Sequence, residues 1–221
     1  MRLGRGRSEQ PDPSEEPVSR PEPSEKGRAK VTCELGIWLP CPRVFPPRHD
    51  AESWSRLAST LWWGKSGLPH DDNAVDHLAA VFRSVREISY ARVRSHQLWI
   101  YLRDPAAQPL PVHISAWKQQ GERDRRLRLL TGADDKDSVR KPQVAKAATS
   151  HLGTGLRAAR YRTQDDKGSL LCILSYAFRV EEHETDLEVF TASTDLRALT
   201  AAGDDIERFV QSITVNGKTA E

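Results

Sequence analysis

The strongest hydrophobic pattern lies near the C-terminus, where two short runs follow each other. Leu170–Ala177 is eight residues of almost unbroken apolar sequence, and Thr185–Thr191 alternates between apolar and polar positions. Runs of this length predict strands, because helices normally run longer. The first run is apolar on both sides, which predicts a central strand covered above and below. The polar link at 181–184 is too short for a parallel crossover, so the two strands are predicted to be antiparallel.

An amphipathic helix is predicted to follow the second strand and to close the domain. Thr194 offers an N-cap hydroxyl, and Asp195 places an anion in the first turn, where the helix dipole favours it. Apolar residues continue at helical spacing, with an interruption at Gly203. These apolar positions are Leu196, Leu199, Ile206, Phe209, Val210 and Ile213. The chain is therefore predicted to end as strand, strand and helix.

Two helices are predicted between residues 50 and 88. Asp50 caps the first helix and Gly64 ends it, while Asp71 or Asp72 begins the second. The predicted core-facing positions are Trp54, Leu57, Ala58, Leu61 and Trp62 in the first helix, and Val75, Leu78, Ala79, Phe82 and Val85 in the second. Because the connecting loop is short, the two helices are predicted to form an αα-hairpin.

Further strands are predicted on both sides of this hairpin. Gln97–Arg103 and Val112–Trp117 form a predicted strand pair, and Leu156–Arg162 leads into the central hairpin. Glu34–Leu39 fits a first strand. The segment Pro40–Pro47 is predicted to be irregular, because proline removes a backbone donor and fixes the backbone.

The middle of the chain has the weakest pattern. Residues 122–130 favour a short basic helix, and residues 144–149 fit either a strand or a helix. Together the elements predict an α+β fold, in which a mainly antiparallel sheet carries helices packed on both faces as an α/β/α sandwich.

Composition divides the chain of 221 residues into a tail and one domain. Residues 1–30 are rich in Pro, Ser, Glu, Arg and Gly and have almost nothing to bury, so a disordered tail is predicted. Residues 31–215 form one predicted α+β domain, and residues 216–221 a flexible C-terminus. With 33 basic and 31 acidic residues the formal charge is +2, which gives no strong signal for nucleic-acid binding.

The three cysteines give information about the cellular compartment. Cys172 lies within the predicted central strand and is most simply a buried apolar residue. Cys33 and Cys41 are near enough in sequence to pair, although free thiols are the favoured interpretation.

No run approaches the ~18 apolar residues that span a bilayer, and no secretory signal is visible. We therefore expect a cytoplasmic protein.

Motifs for catalysis are sparse. The sequence contains no Gly-x-Ser-x-Gly motif, phosphate-binding loop or dinucleotide fingerprint. His70, Asp72 and His77 come nearest to a metal or catalytic cluster, but the two histidines lack the i, i+4 spacing of a helical metal pair. Asp72 is already explained as a first-turn charge. We expect no catalytic residue, no metal and no cofactor; the alternative is a hydrolase, with or without a metal, built on these three residues.

Other features favour recognition of a protein partner. Trp63 falls about 100° from the core-facing side of its helix, where a partly exposed tryptophan can bind a partner. Phe45 lies in the proline-rich segment, and Arg123 and Arg126 belong to a local basic run. Such a run is usually a solvated helix face, and the alternative is a phosphate-binding patch. We predict a non-catalytic binding or accessory module that recognises a macromolecular partner through these four residues.

The order of elements resembles a known group of α/β/α sandwiches. A hairpin leads into a last amphipathic helix that ends DIERFVQSI at residues 205–213, and this is similar to the Mog1/PsbP-like group over roughly residues 155–215. The resemblance implies an antiparallel sheet between helices and an accessory or binding role. The 24 arginines against 9 lysines suggest a GC-rich genome. The whole chain also resembles an uncharacterised protein family of high-GC Gram-positive bacteria, which implies a bacterial source and no particular activity.

Overall fold

A seven-stranded antiparallel sheet forms the centre of the computed structural model, which describes residues 22–33, 36–93, 97–164 and 168–217. The strands are β1 (Gly27–Val31), β2 (Trp38–Cys41), β3 (Gln97–Tyr101), β4 (Leu110–Lys118), β5 (Gln143–Thr149), β6 (Gly153–Thr163), β7 (Leu170–Val180), β8 (Thr185–Ser193) and β9 (Ile213–Gly217). The helices are α1 (Ala51–Lys65), α2 (Asp72–Arg92), α3 (Arg123–Thr131), α4 (Leu196–Ala201) and α5 (Gly203–Gln211). The large sheet has the order β2-β3-β4-β8-β7-β6-β5, and β1 pairs with β9. The predicted α+β fold with an antiparallel sheet is confirmed.

The predicted central hairpin is confirmed as β7 and β8. The two strands pair antiparallel, and a 3₁₀ turn at Glu181–His183 joins them. Tyr176 and Phe178 on one face of β7 and Ala177 on the other are each at most 1% exposed. Both faces of this strand are therefore covered, which explains why it is apolar along both sides.

One face of the sheet, here called the front face, carries Tyr176 and Val189 and packs against α4, α5 and the β1–β9 pair. From α5, Ile206 and Phe209 enter this core, and both are 1% exposed. The opposite face, here called the back face, is covered by two separate helical units. The α1–α2 hairpin lies over β2 and β3, and α3 lies over β6 and β7.

The predicted closing helix is divided into two. Asp195 rather than Thr194 caps α4, because its Oδ1 accepts from the backbone N–H groups of residues 197 and 198 at 3.0 and 2.9 Å. A break before Gly203 separates α4 from α5. Ile213 does not continue the helix but begins β9, where it pairs with Val31 and is fully buried. The apolar spacing therefore continued past the helix because the next element also contributes to the same core.

The buried side of α1 differs from the prediction at Leu57 and Leu61, which are 62% and 55% exposed. The helix is turned so that Ser55 and Ser59 are fully buried instead. Each hydroxyl donates to a backbone carbonyl three residues earlier, at 2.9 and 3.0 Å. Because their hydroxyls are satisfied and their side chains are small, the two serines allow α2 to approach, and Arg83 of α2 donates to Ser55 Oγ at 3.2 Å.

The N-terminal boundary of the domain also differs from the prediction. Residues 27–31 form β1, so the tail expected at 1–30 does not extend that far; residues 1–21 lie outside the described residues. Arg28 and Lys30 make this stretch polar in composition, but alternation turns Ala29 and Val31 toward the front-face core. At the other end β9 includes Gly217, and residues 218–221 lie outside the described residues.

The first strand of the large sheet runs through a proline that we expected to end it. β2 comprises Trp38–Cys41, and Pro40 pairs with Trp99 of β3. This is possible because β2 is an edge strand, where the missing N–H of proline does not interrupt a ladder. Of the predicted strand Glu34–Leu39, residues 34 and 35 lie outside the described residues.

All three cysteines are free thiols, as favoured from the sequence. Cys41 and Cys172 are buried, and Cys33 is partly exposed. Burial raises the pKa of the Cys172 thiol, so this side chain is a buried apolar residue rather than a ready nucleophile.

Candidate functional site

An apolar surface, here called the α1 ridge, is formed by Trp54, Leu57 and Leu61 of α1, by Phe45, whose ring packs on Trp54, and by its exposed neighbour Val44. Val44 is 81% exposed, and Leu57 and Leu61 are more than half exposed. Trp54 packs against Phe45 with ring centroids 6.4 Å apart. Leu57 and Leu61 follow Trp54 at intervals of about one helical turn, so the three side chains lie on neighbouring positions of one helix side.

The concentration of exposed apolar side chains in this region is unusual for the molecule. Nine large apolar side chains are exposed among the described residues, and five of them belong to the segment 44–88. Single exposed apolar residues are normal on a protein surface. A contiguous set is typical of an interaction site.

Positive charge borders the α1 ridge. The Arg86 guanidinium lies over the Phe45 ring, 4.6 Å from its centroid, and it donates to the carbonyl oxygens of Pro42 and Arg43 at 2.9 and 2.8 Å. These bonds hold the proline-rich segment against α2. Lys65 is exposed at the end of α1, with its Nζ 5.8 Å from the centroid of a neighbouring tryptophan ring. The ridge therefore presents apolar side chains beside cations.

Of the predicted contact residues, Phe45 lies in the α1 ridge and Trp63 does not. Trp63 is partly exposed, and its indole Nε1 donates to the carbonyl oxygen of Pro69 at 2.9 Å. It follows Leu61 by two positions, so it points about 160° away around the helix. In this structure Trp63 holds the loop between α1 and α2, and its contact with a partner stays a prediction.

The histidine cluster lies on the surface at the start of α2. His70 Nε2 lies 3.0 Å from Asp72 Oδ1, and both side chains are exposed, as is His77. Asp71 caps the helix through its Oδ1. Within the described ranges, no group of three or more His, Cys, Asp or Glu side chains is arranged to hold a metal ion. The geometry adds no support to the hydrolase alternative, which stays a prediction.

The predicted basic helix is α3, and it turns two of its arginines toward the sheet. Arg123 donates through Nη2 to the carbonyl oxygen of Thr154 at 2.6 Å, which ties α3 to β6. The Arg126 side chain is only 5% exposed, and its Nε lies 3.4 Å from Asp186 Oδ2. The expectation of a solvated basic face is therefore wrong at Arg126, which is not placed to meet a macromolecule at the surface.

Arg126 belongs to a group of charged side chains between α3 and the sheet, here called the back-face cluster: Arg126, Arg160, Arg179, Asp186 and Glu188. Asp186 is fully buried and accepts from Arg179 Nε at 2.7 Å and from Arg179 Nη2 at 3.1 Å. Arg179 also donates to the carbonyl oxygens of residues 120 and 121. This bidentate pair fixes the hairpin beneath α3.

Glu188 is the second carboxylate of the back-face cluster. Its Oε2 accepts from Trp117 Nε1 at 3.0 Å. Burial raises the pKa of Glu188, although the indole bond and the charges of Arg160 and Arg126 oppose that shift. Part of its surface nevertheless remains accessible. The carboxyl group therefore lies in a low-dielectric position.

Several polar atoms of this region have no hydrogen-bond partner among the described residues. They are Nε and Nη2 of Arg126, Nε of Arg160 and Oγ of Ser175, and all of them are buried. Ser175 itself is 1% exposed. Buried polar groups normally find partners, so each of these atoms calls for a physical explanation.

The two helical units leave an accessible strip along the back face of β7 and β8. Ile173, Glu188 and Phe190 are partly exposed there, whereas Ala177 beneath α3 is fully buried. His113 stacks on Phe190 with ring centroids 4.7 Å apart. Burial lowers the pKa of His113 to about 4, so the imidazole is neutral at physiological pH. Glu188 belongs both to this strip and to the back-face cluster, so the two adjoin.

Arg160, Ser175 and Glu188 were not among the site residues predicted from the sequence. Glu188 stands at a polar position of the alternating run Thr185–Thr191, and these positions lie on the back face of the sheet, which the helices cover in part. A signal was available, because a central strand covered on both sides buries the polar residues of its neighbour as well. Arg160 and Arg179 on adjacent strands then had the spacing to meet such buried carboxylates.

Comparisons with known proteins add little to this geometry. No protein-family model and no curated protein matches the sequence. Among solved structures, the chain is similar to that of LpqN from Mycobacterium tuberculosis, described as involved in cell envelope biogenesis, with 10% identity and a TM-score of 0.45 over 88% of this chain and 86% of that one. Nothing about function follows at that level of similarity. The resemblance to the Mog1/PsbP-like group stays a prediction.

A helix that crosses a bilayer must be both long and apolar. None of the helices in the described parts of the chain combines the length and the apolar character that a membrane span needs.

Proposed function

We propose that this protein is a non-catalytic binding module that recognises a protein partner through the α1 ridge. The observation that carries the proposal is the exposure of Leu57 and Leu61 on a well-capped helix whose other side is buried. Removing such side chains from water on binding a partner contributes free energy roughly in proportion to the apolar area covered. Of the four contact residues predicted from the sequence, Phe45 belongs to this ridge.

The partner we propose presents an apolar segment flanked by acidic residues. Apolar side chains would cover Leu57 and Leu61, and acidic groups would face the cations at Lys65 and around Phe45. Charge complementarity of this kind steers association and excludes partners of the wrong sign. The N-terminal residues 1–21 of this chain are a poor alternative occupant, because their only large apolar side chains are Met1, Leu3 and Val18.

A photo-cross-linking amino acid placed at position 61 tests this proposal in the native host. We expect a covalent adduct with a protein whose cross-linked peptide is apolar with acidic flanks. The matched control places the same amino acid at position 129, where Leu129 is 48% exposed on α3. An adduct of equal yield with the same protein at position 129 would contradict the proposal.

Substitution of the ridge provides an independent measurement once the cross-linked protein is in hand. Leu57→Ala with Leu61→Ala should weaken binding by about thirtyfold, which corresponds to about 2 kcal/mol. Leu129→Ala should leave the affinity unchanged. An adduct at position 61 with a second copy of this chain would replace the proposed partner by self-association. The cytoplasmic location expected from the sequence stays a prediction.

A further inference from the structure

We infer that the back-face cluster is a binding site for a small oxyanionic ligand, a carboxylate or phosphate group held by Arg126, Arg160 and Ser175. This site is separate from the α1 ridge, and the inference does not depend on the proposed protein partner. It rests on the arrangement of charges, on buried donors without partners and on the register of the strands.

The charges of the region leave two arginines without a carboxylate of their own. Asp186 is engaged by Arg179 through two hydrogen bonds. Arg126 only approaches this occupied carboxylate, with its Nε 3.4 Å from Oδ2 and no hydrogen bond from Nε. An arginine held beside a carboxylate that is already satisfied retains donors for another acceptor.

Arg160 on β6 likewise lies beside a carboxylate that another arginine already engages. Asp135 accepts from Arg162 Nε and Nη2 at 2.7 and 2.8 Å. Arg160 Nε lies 3.4 Å from the same carboxylate but forms no hydrogen bond with it. Its Nη1 donates to the carbonyl oxygen of Thr131, at the end of α3, which holds the guanidinium in place. Arg160 is thus oriented by the protein while its Nε remains unpartnered.

Glu188 does not neutralise these two arginines by direct contact. Its Oε2 accepts from Trp117, and within the described residues it forms no ion pair with Arg126 or Arg160. Both guanidinium groups act on it only through longer-range attraction. Arg126 and Arg160 carry two positive charges, and an ionised Glu188 carries one negative charge. The net charge of these three groups is therefore positive, which favours an anionic ligand.

The strand register places Ser175 between Arg160 and Glu188. Ser175 lies opposite Ala158 on β6 and opposite Phe190 on β8. Arg160 follows Ala158 by two residues and Glu188 precedes Phe190 by two, so both lie on the same face as Ser175 at opposite diagonals. Diagonal neighbours in an antiparallel sheet are about 7–8 Å apart, within reach of long side chains. The unpartnered Ser175 hydroxyl is therefore placed to add a hydrogen bond to a ligand held by the arginines.

We infer that a ligand reaches the hydroxyl past neighbouring side chains that are small or partly exposed. Ala158 presents only a methyl group beside Ser175. Phe190 and Ile173 on the neighbouring positions are partly exposed along the strip between the two helical units. A guanidinium binds an oxyanion through parallel N–H donors, so both carboxylate and phosphate match these arginines.

Isothermal titration of the full chain with inorganic phosphate, and separately with acetate, tests the inference at constant ionic strength set by chloride. We expect saturable binding of at least one of the two probes. Binding of phosphate alone would identify a phosphate-bearing ligand, and binding of acetate alone would identify a carboxylate. No saturable binding of either probe would overturn the inference.

Variants distinguish this site from general ion association. Arg126→Gln and Arg160→Gln should each weaken binding of the probe by about tenfold or more, as expected for loss of a hydrogen bond to a charged group. Arg125→Gln makes the same change of charge at an exposed position on α3 and should leave binding unchanged. Equal loss in all three variants would overturn the site.

Ser175→Ala keeps the test decisive if the arginine variants do not fold. The hydroxyl has no partner in the protein, so its removal should leave the unfolding temperature unchanged or slightly higher. The same variant should bind the probe several-fold more weakly than the wild type. Unchanged affinity in a folded Ser175→Ala protein would contradict the proposed role of the serine and overturn the site as we describe it.

Discussion

Arg179 and Asp186 face each other across the central hairpin and form a bidentate ion pair with distances of 2.7 and 3.1 Å. Their side chains are 3% and 0% exposed. The pair links β7 to β8, and Arg179 reaches on to the two carbonyl groups that precede α3. One buried carboxylate therefore supports both the hairpin and the helix above it.

Replacing Asp186 by Asn should destabilise the protein strongly. The substitution leaves Arg179 and Arg126 buried beside a neutral group, and breaking a buried pair typically costs about 3–5 kcal/mol. Urea unfolding followed by circular dichroism measures the loss. The control is Asp76→Asn in the exposed pair with Arg56, where both side chains are more than half exposed and a change below about 1 kcal/mol is expected. A similar decrease in the free energy of unfolding in both variants would show that the buried pair contributes no more to stability than the exposed one.

Glu188→Gln should stabilise the protein at neutral pH. The amide oxygen can still accept from Trp117, while the ionised group that burial disfavours is removed. Because the pKa of Glu188 is raised above 4.5, the wild type loses stability as the pH rises from that value through the folded-state pKa. The difference in the free energy of unfolding between variant and wild type should thus grow above pH 4.5 and vanish below it. Glu87→Gln, an exposed change on α2, should show no such dependence.

Acid should destabilise the fold through His113. Burial lowers the pKa of this side chain from 6.5 to about 4, so the unfolded chain takes up its proton first. The stability contributed by the neutral imidazole is complete above pH 6.5 and is lost as the pH falls through about 4, to a total of about 3 kcal/mol. Urea unfolding at a series of pH values measures this effect. The free energy of unfolding of His113→Gln should depend less on pH than that of the wild type over this interval. The exposed His77→Gln variant should follow the wild type, and a flat wild-type curve would contradict the assignment.

Two glycines should respond to alanine with opposite signs. A Cβ at Gly155 would lie 2.2 Å from the carbonyl oxygen of Ala177, so Gly155→Ala must displace the β7 backbone and should cost about 1–3 kcal/mol. At Gly64, inside α1, a Cβ meets nothing within 4 Å. Gly64→Ala should therefore stabilise the protein by about 0.5–1 kcal/mol through helix propensity. Thermal unfolding of the two variants measures both effects, and a Gly155→Ala protein as stable as the wild type would contradict the close approach at Gly155.

Thiol labelling of the native protein should modify Cys33 first and leave Cys41 and Cys172 unmodified. Cys33 is partly exposed, whereas the other two are buried, and burial raises the pKa of Cys41 to about 12. Mass spectrometry of the labelled protein before and after denaturation gives the order of reaction. Rapid labelling of Cys172 in the native state would show that its strand opens and that the thiol is a candidate nucleophile after all.

Local sequence pattern determined the central hairpin, the helical hairpin and the cap at Asp50. The apolar run at Leu170–Ala177 identified a covered strand because strand periodicity and burial are both visible in a short window. Asp50 accepts from Ser53 N at 2.7 Å, as the capping signal predicted. These features depend on residues close together in the chain, so the sequence alone contains the information.

The tertiary structure decided which side of α1 is buried and where Arg126 points. Helical spacing allowed Leu57 and Leu61 to face the core, but close packing against α2 favoured Ser55 and Ser59 there. The basic run on α3 was consistent with a solvated face until strand pairing placed Asp186 beneath Arg126. Both outcomes depend on contacts between residues distant in the chain, and periodicity carries no information about which distant surface will pack closely enough to bury a given side.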